Sequence, residues 1–404
     1  MKFLKVLGYS LLTIIVLIGG LMCYLYLSSG DVPYSDIPTD TVVHDSLYIN
    51  QIQEARHQLK TFMEDRNLPS VSLSVAVDSA IVWNEAVGYE NLDQRRPATV
   101  RSLYNIGSIS KSLTSVALGT MLEDSLLKLD DSVYQYVSDF PKKRYDMTLE
   151  QLASHQAGIR HYQLSFDYLW SELVSSKQYQ NVQEGFEKFR NDSLLFEPGT
   201  DFNYSTYGYT LLSGAMVGAG EQSFLSLMQK RVLAPLQMNQ TTAEFIPGRP
   251  SPKDVTNYLE LGFFGDALTP VHNPNNSYKW AGGGYLSTPS DLNKLAMGLM
   301  NNRILAAETF ENLSQARPLR DGSMNPDNYA IGWRSERRNA SFDSNQKLRV
   351  VHHGGSTLGS NAFLLMYPKE NVSIALTVNS IPDYTENYRE KFYEIAEIFI
   401  ENNI

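Results

Sequence analysis

The 404-residue chain contains one cysteine, Cys23, so no intramolecular disulfide can form and cysteine usage is silent about redox compartment. No long run of lysine or arginine is present. With 34 basic against 44 acidic residues the net charge is −10, which excludes the basic footprint of a nucleic-acid partner. There is no internal repeat and no low-complexity tract. The consecutive glycines of KWAGGGYLSTPS (279–290) are not followed by GK[ST] and lack dinucleotide spacing, so they form neither kind of phosphate-binding loop. What is present is 43% hydrophobic residues, the composition of a folded globular protein of one large domain or two.

The first thirty residues differ in kind from the rest. Lys2 and Lys5 precede Val6 to Leu27, an uncharged and mostly apolar run of 22 residues. As a helix it would span about 33 Å, enough for a bilayer core. Two readings stand. Residues 1–30 are an uncleaved anchor whose lysine-bearing end stays cytoplasmic, leaving the rest membrane-tethered and exported, or they are a signal peptide cut after small residues such as Ser28 and Gly30. Residues 31–45, with Pro33 and Pro38, read as a tether, and the folded domain begins at residue 46.

Chemistry is concentrated in YNIGSISKSLTSVALGTML, residues 104 to 122. Ile109, Leu113, Val116, Ala117, Leu118, Met121 and Leu122 recur at helical spacing and predict a helix with one buried face. Ser108 and Lys111, three apart at its N-terminal turn, are surface neighbours, the arrangement of a nucleophile beside its base. Free N–H groups and the positive end of the helix dipole favour an oxyanion at the same place. The motif alone is weak: Ser125 with Lys128 and Ser344 with Lys347 also satisfy it, and a serine at a helix start is commonly only a cap. Ser108 differs in opening an apolar helix.

Around this stretch, residues 46 to 66 read as the first helix, with Ile49, Ile52, Ala55, Leu59, Phe62 and Met63 inward. Val71 to Val77 and Ile81 to Val87 read as a hairpin, as do Asn361 to Tyr367 and Val372 to Val378. MTLEQLASHQAGIRHY predicts a short helix stopped at Gly158. Its His155 is read as fixing a loop through backbone hydrogen bonds rather than as a ligand or base, since no carboxylate or cysteine stands at metal-ligand spacing. A helix near Tyr207 follows Tyr204, and another follows Thr288 and Pro289. Tyr388 to Ile400 reads as the last helix. Hairpins at both ends with helices between predict a mixed α/β (α+β) fold: an antiparallel sheet built from both chain ends, flanked by helices, with a mainly helical insertion at roughly 108–265.

Taken together, NIGSISKSLTS, LASHQAGI, FNYSTYGYTLL, AGGGYLSTPSDL and HHGGSTLG occur in the order and spacing of the serine β-lactamase family. The chain resembles the class C-like branch of that family, which includes D,D-peptidases and esterases, and SHQAGIRHY and YSTYGYTLL are closest to its mitochondrial, peptidase-like members. The resemblance spans residue 50 to the end and implies the β-lactamase/penicillin-binding-protein fold. It carries the nucleophile to Ser108, the base to Lys111 and the tyrosine of a Tyr-x-Asn motif to Tyr204, while Thr206 replaces the asparagine as a substrate-binding group. The Lys-Thr-Gly triplet falls on His352, His353 and Gly354, with His352 taken as the motif residue and His353 as substrate-binding. The N–H groups of Ser108 and Gly355 form the implied oxyanion hole. No metal or organic cofactor is implied. Because a histidine is mostly neutral near pH 7 where the family lysine is charged, the changed motifs point to peptide or ester substrates more than to β-lactams. A true β-lactamase and an inactive ligand-binding homologue are the alternatives.

Overall fold

The segment SNAFLLMY, Ser360–Tyr367, has no polar alternation because both of its faces are covered. Ala362, Leu364 and Met366 join one hydrophobic core, while Phe363, Leu365 and Tyr367 join another on the opposite side. The computed structural model, which describes residues 9, 12–20, 23, 32–162, 177–252, 255–260, 268–271, 275–381 and 389–401, places this segment inside an antiparallel sheet of eight strands. These are β1 (Thr39–Val43), β2 (Ser70–Val77), β3 (Ala80–Asn91), β4 (Arg96–Pro97), β5 (Arg334–Asn339), β6 (Lys347–Thr357), β7 (Ser360–Tyr367) and β8 (Val372–Val378). Their order is β1-β3-β2-β8-β7-β6-β5, with β4 on β3. Val71 of β2 pairs with Val378 of β8, so the two chain ends meet in mid-sheet as predicted.

Helices α1 (Ile49–Asp65) and α5 (Arg389–Glu401) cover one face, burying Leu59 and Phe62 of α1 and Ile395 and Phe399 of α5 with Leu73, Val75 and Leu365 of the sheet. Ile49, expected inward, is 39% exposed, because the helix begins there rather than at residue 46 and Ser46–Tyr48 form a separate 3-10 turn. On the other face lie α2 (Ile109–Glu123), α3 (Thr206–Gly220) and α4 (Pro289–Met300), which share the larger core with Val351, Leu364 and Ala375. Between β4 and β5 the chain is mainly helical, with two small sheets, one of them pairing Tyr104–Asn105 and Thr242–Ala243 with Tyr285–Ser287.

The 31–45 segment, expected to be a tether, supplies edge strand β1 paired with β3, so the folded domain begins before residue 46. Two further local expectations change. Helix α2 is buried nearly all round, not on one face, and its inward polar groups find carbonyls: Ser112 Oγ donates to Gly332 O at 2.7 Å and Thr114 Oγ1 to Ala281 O at 2.9 Å. The short helix Leu149–Ala153, opened by a capping box between Thr148 and Gln151, stops before Gly158. His155 takes the left-handed position that ends it (φ 65°), with the Gln156 N–H on Gln151 O at 2.8 Å.

Most of the N-terminal segment 1–30 lies outside the described residues, as does Tyr388. Residues 12–20 are helical, with Leu12, Ile15, Val16 and Leu17 exposed. Among the described residues no helix is long and apolar enough to cross a membrane.

Candidate active site

Two backbones touch where α2 begins. Gly107 (φ 47°) leads into the helix, and a Cβ there would lie 2.6 Å from the Ser356 nitrogen. A Cβ on Gly355 would lie 1.9 Å from Ile106 O and 3.0 Å from the Ser108 nitrogen. Only glycines let β6 approach the helix start this closely. Ser108 occupies the N-cap position yet makes no side-chain cap hydrogen bond. Its Oγ instead lies 3.2 Å from Lys111 Nζ. Ser125 sits in a left-handed turn (φ 57°) after the helix, and Ser344 is exposed, so neither reaches a comparable setting.

Lys111 is completely buried, and its Nζ also lies 2.6 Å from Gly282 O and 3.1 Å from Thr206 Oγ1. A Cβ on Gly282 would meet Thr206 Cγ2 at 2.6 Å, so the glycine run permits close approach here too. Burial, then the nearby charges of Lys279 and Arg334, hold the amine well below the ordinary lysine value. A neutral amine has two N–H groups and one lone pair. The Gly282 carbonyl and Thr206 hydroxyl can take the N–H groups, leaving the lone pair for the Ser108 proton. Thr206, expected to bind substrate, is therefore a buried partner of the lysine.

Tyr204 immediately precedes the N-cap of α3, where Ser205 Oγ accepts the Gly208 N–H at 2.9 Å. Its hydroxyl hydrogen-bonds Ser108, and burial pushes its pKa up to about 12. It is thus a phenol and not a phenolate at neutral pH. Two histidines hold the segment: His155 Nδ1 accepts the Ser205 N–H at 3.1 Å, and His161 Nδ1 accepts the Thr206 N–H at 3.2 Å. The His155 ring also lies tilted against the Tyr204 ring, 4.3 Å between centroids. It fixes the loop through the backbone, as read from the sequence. Burial first, then Lys111, keeps both rings neutral: His155 falls well below the usual histidine value and His161 to about 3.

Strand alternation corrects the third motif. His353 pairs with Leu364, on the helical side, whereas His352 pairs with Leu365, on the side of α5. His352 therefore turns away from Ser108, toward Phe363, Tyr393 and Glu336, whose carboxylate is 3.5 Å from its Nε2. His353 faces the site: its Nδ1 lies 2.6 Å from Gly354 O, and its Nε2 lies 3.0 Å from the Tyr329 hydroxyl. The carbonyl accepts only, so Nδ1 carries the proton and Tyr329 donates to Nε2. Burial, then Arg334 and Lys111, hold His353 well below the ordinary histidine value, so it is neutral.

The fixed positive charge comes from residues that periodicity did not single out. Arg334 is paired with Asp327 at 2.7 Å and lies over the Tyr204 and Tyr329 rings at 5.6 and 5.2 Å. It opens edge strand β5 beside β6. Tyr329, His161 and Lys279 were likewise missed, because a single tyrosine or cation in a loop carries no periodic signal. Among the described residues no group of three histidines, cysteines or carboxylates is placed to hold a metal ion.

Known proteins resemble this chain over most of its length. The serine beta-lactamase-like protein LACTB, mitochondrial, of Homo sapiens is 28% identical, across 80% of this chain and 73% of its own length. Protein flp of Staphylococcus aureus (strain MW2) is 25% identical, across 82% of this chain and 64% of its own. Among solved structures, D-amino acid amidase from Ochrobactrum anthropi SV3 superposes with a TM-score of 0.72 at 20% identity, covering 87% of this chain and 100% of that one. The octameric penicillin-binding protein homologue from Pyrococcus abyssi gives 0.69 at 24%, covering 82% and 74%. These structures share the fold. The beta-lactamase family model matches residues 55–397, and the chain belongs to the beta-lactamase family.

Proposed function

We propose that the chain is a serine hydrolase that works through an acyl-enzyme on peptide or ester bonds, with Ser108 as nucleophile, Lys111 as base and Tyr204 as proton carrier. The carrying observation is the Lys111 amine, buried, without a carboxylate salt bridge among the described residues, and 3.2 Å from the Ser108 hydroxyl. As Ser108 Oγ bonds to the substrate carbonyl carbon, its proton passes to Lys111 Nζ. The carbonyl oxygen becomes an oxyanion facing the Ser108 N–H and the β6 backbone at Gly355. Collapse breaks the bond to the leaving amine or alcohol, which takes the Tyr204 proton, and Lys111 returns one to Tyr204. Water then repeats the sequence on the acyl ester and restores the serine.

A neutral His353 in the third motif, where the family has a lysine, favours peptide or ester substrates over β-lactams. Exported, membrane-tethered placement is part of the same reading, supported by Lys2 and Lys5 before the apolar run and by the exposed apolar side chains of residues 12–18. Such a domain meets peptides of the D-Ala-D-Ala type.

The test is a fluorophosphonate probe followed by a panel of D-Ala-D-Ala peptides, short nitrophenyl esters and nitrocefin. The expected result is labelling of wild type and not of Ser108→Ala, with peptide or ester turnover and slow nitrocefin hydrolysis. Absence of labelling in both proteins would point to an inactive homologue, and fast nitrocefin hydrolysis to a β-lactamase.

A further inference from the structure

A groove of about 630 Å³ lies between the 141–145 loop and the 190–197 segment, and Ser108, Lys111 and Tyr204 are not among its lining residues. Four cations line it, Lys142, Lys143, Arg144 and Arg190, and among the described residues none forms a salt bridge, although Asp192 acts electrostatically on Lys143. Lys143 Nζ donates to the carbonyls of Arg190 and Asp192 at 2.5 and 2.8 Å, and Arg190 donates to Asp139 O at 2.8 Å. Arg144 lies over the Tyr145 ring at 5.1 Å. The two lining carboxylates are already neutralised by arginines from outside the lining, Asp192 by Arg160 and Glu197 by Arg320. Both lining acids are thus in salt bridges while none of the four bases is, in a chain whose overall charge is −10. Such a local inversion of sign attracts anions. The volume is that of a small-molecule site, and Asn191 and Ser193 add an amide and a hydroxyl to the cations.

We propose that this groove binds a small phosphate-bearing anion, either a soluble molecule or a lipid headgroup. The guanidinium and ammonium groups of Lys142, Lys143, Arg144 and Arg190 suit phosphate oxygens through charge-assisted hydrogen bonds. The 190–197 segment is joined to the segment that carries Tyr204: the Leu195 N–H bonds Gly158 O at 2.8 Å, and Ser205 Oγ donates to Arg160 O at 2.8 Å.

The test uses the full chain in nonionic detergent, titrated calorimetrically with inorganic pyrophosphate, and flotation with phosphatidylcholine vesicles with and without phosphatidic acid. Saturable binding is expected in at least one arm. Lys142→Ala/Arg144→Ala, both exposed, should weaken it by about tenfold or more, the scale of losing one charge-assisted hydrogen bond. Lys347→Ala/Lys369→Ala, exposed elsewhere, should leave it unchanged. Pyrophosphate binding alone identifies a soluble ligand, and a phosphatidic acid requirement identifies a headgroup. No saturable binding in either arm, or equal weakening by both double variants, overturns the proposal.

Discussion

His352 and His353, adjacent in sequence, stand on opposite faces of one strand: His353 meets the Tyr329 hydroxyl at 3.0 Å on the Ser108 side, and His352 stands 3.5 Å from Glu336 on the other. Their substitutions should therefore part. His353→Ala removes a wall of the site and the acceptor of a buried phenol, and should lower kcat/KM by about tenfold or more, the scale of one lost buried hydrogen bond. His352→Ala should leave kcat/KM within a few-fold and act on thermal stability. Steady-state kinetics of the two variants decide it, and the reverse ranking would return the motif role to His352.

Lys111→Met should abolish probe labelling, a loss of roughly 10²–10⁴-fold for a missing proton acceptor, while the circular dichroism spectrum stays native. Near-normal labelling would remove the lysine from its assigned role.

The same amine sets a pH dependence of stability. Its folded pKa lies well below the ordinary 10.5 because burial disfavours the charged form. Below pH 10.5 the unfolded chain binds a proton that the folded chain refuses, so wild-type stability falls as pH drops from 10.5 toward the folded value. Relative to Lys111→Met, wild type should gain stability between pH 7 and 10. Denaturant unfolding of the pair measures this, and a constant difference would contradict a neutral Lys111.

Acid should act through the buried imidazoles. His161, lowered from the usual 6.5 to about 3 by burial and then by Lys111, is neutral in the fold and charged in the unfolded chain between those values. Stability due to the neutral ring is thus lost as pH falls through that window. Wild type should lose more stability than His161→Gln between pH 7 and 4, and parallel unfolding curves would sink the assignment.

Gly355→Ala should push β6 away from Ile106, since its Cβ would fall 1.9 Å from that carbonyl. Activity should drop about a hundredfold or more with the oxyanion geometry, and the melting temperature should fall. Gly354→Ala is the control, its nearest neighbour being a flexible Arg389 atom at 3.6 Å. Equal effects at both positions would mean that the close approach is unimportant.

How the site could be read from the chain follows from the range of each signal. Helix α2, the two hairpins and the join of the chain ends were legible because apolar spacing and turn residues are local, and the Ser108 and Lys111 pair was legible because three residues on one helical turn must be neighbours. Ordered motifs added Tyr204. The face on which each of two adjacent histidines falls was not legible, since it depends on which neighbour in β7 each one pairs with, a matter of register between strands. Nor could sequence spacing show that Thr206 and Gly282 hold the lysine, or that Arg334 stands over Tyr204, because those contacts join residues 95, 171 and 130 positions apart. Sequence by itself determined the family fold and the placement of Ser108 beside Lys111, the proposed base. Tertiary structure alone decided the protonation of that base, because burial and the charges of Lys279 and Arg334 exist only once distant segments have packed around it.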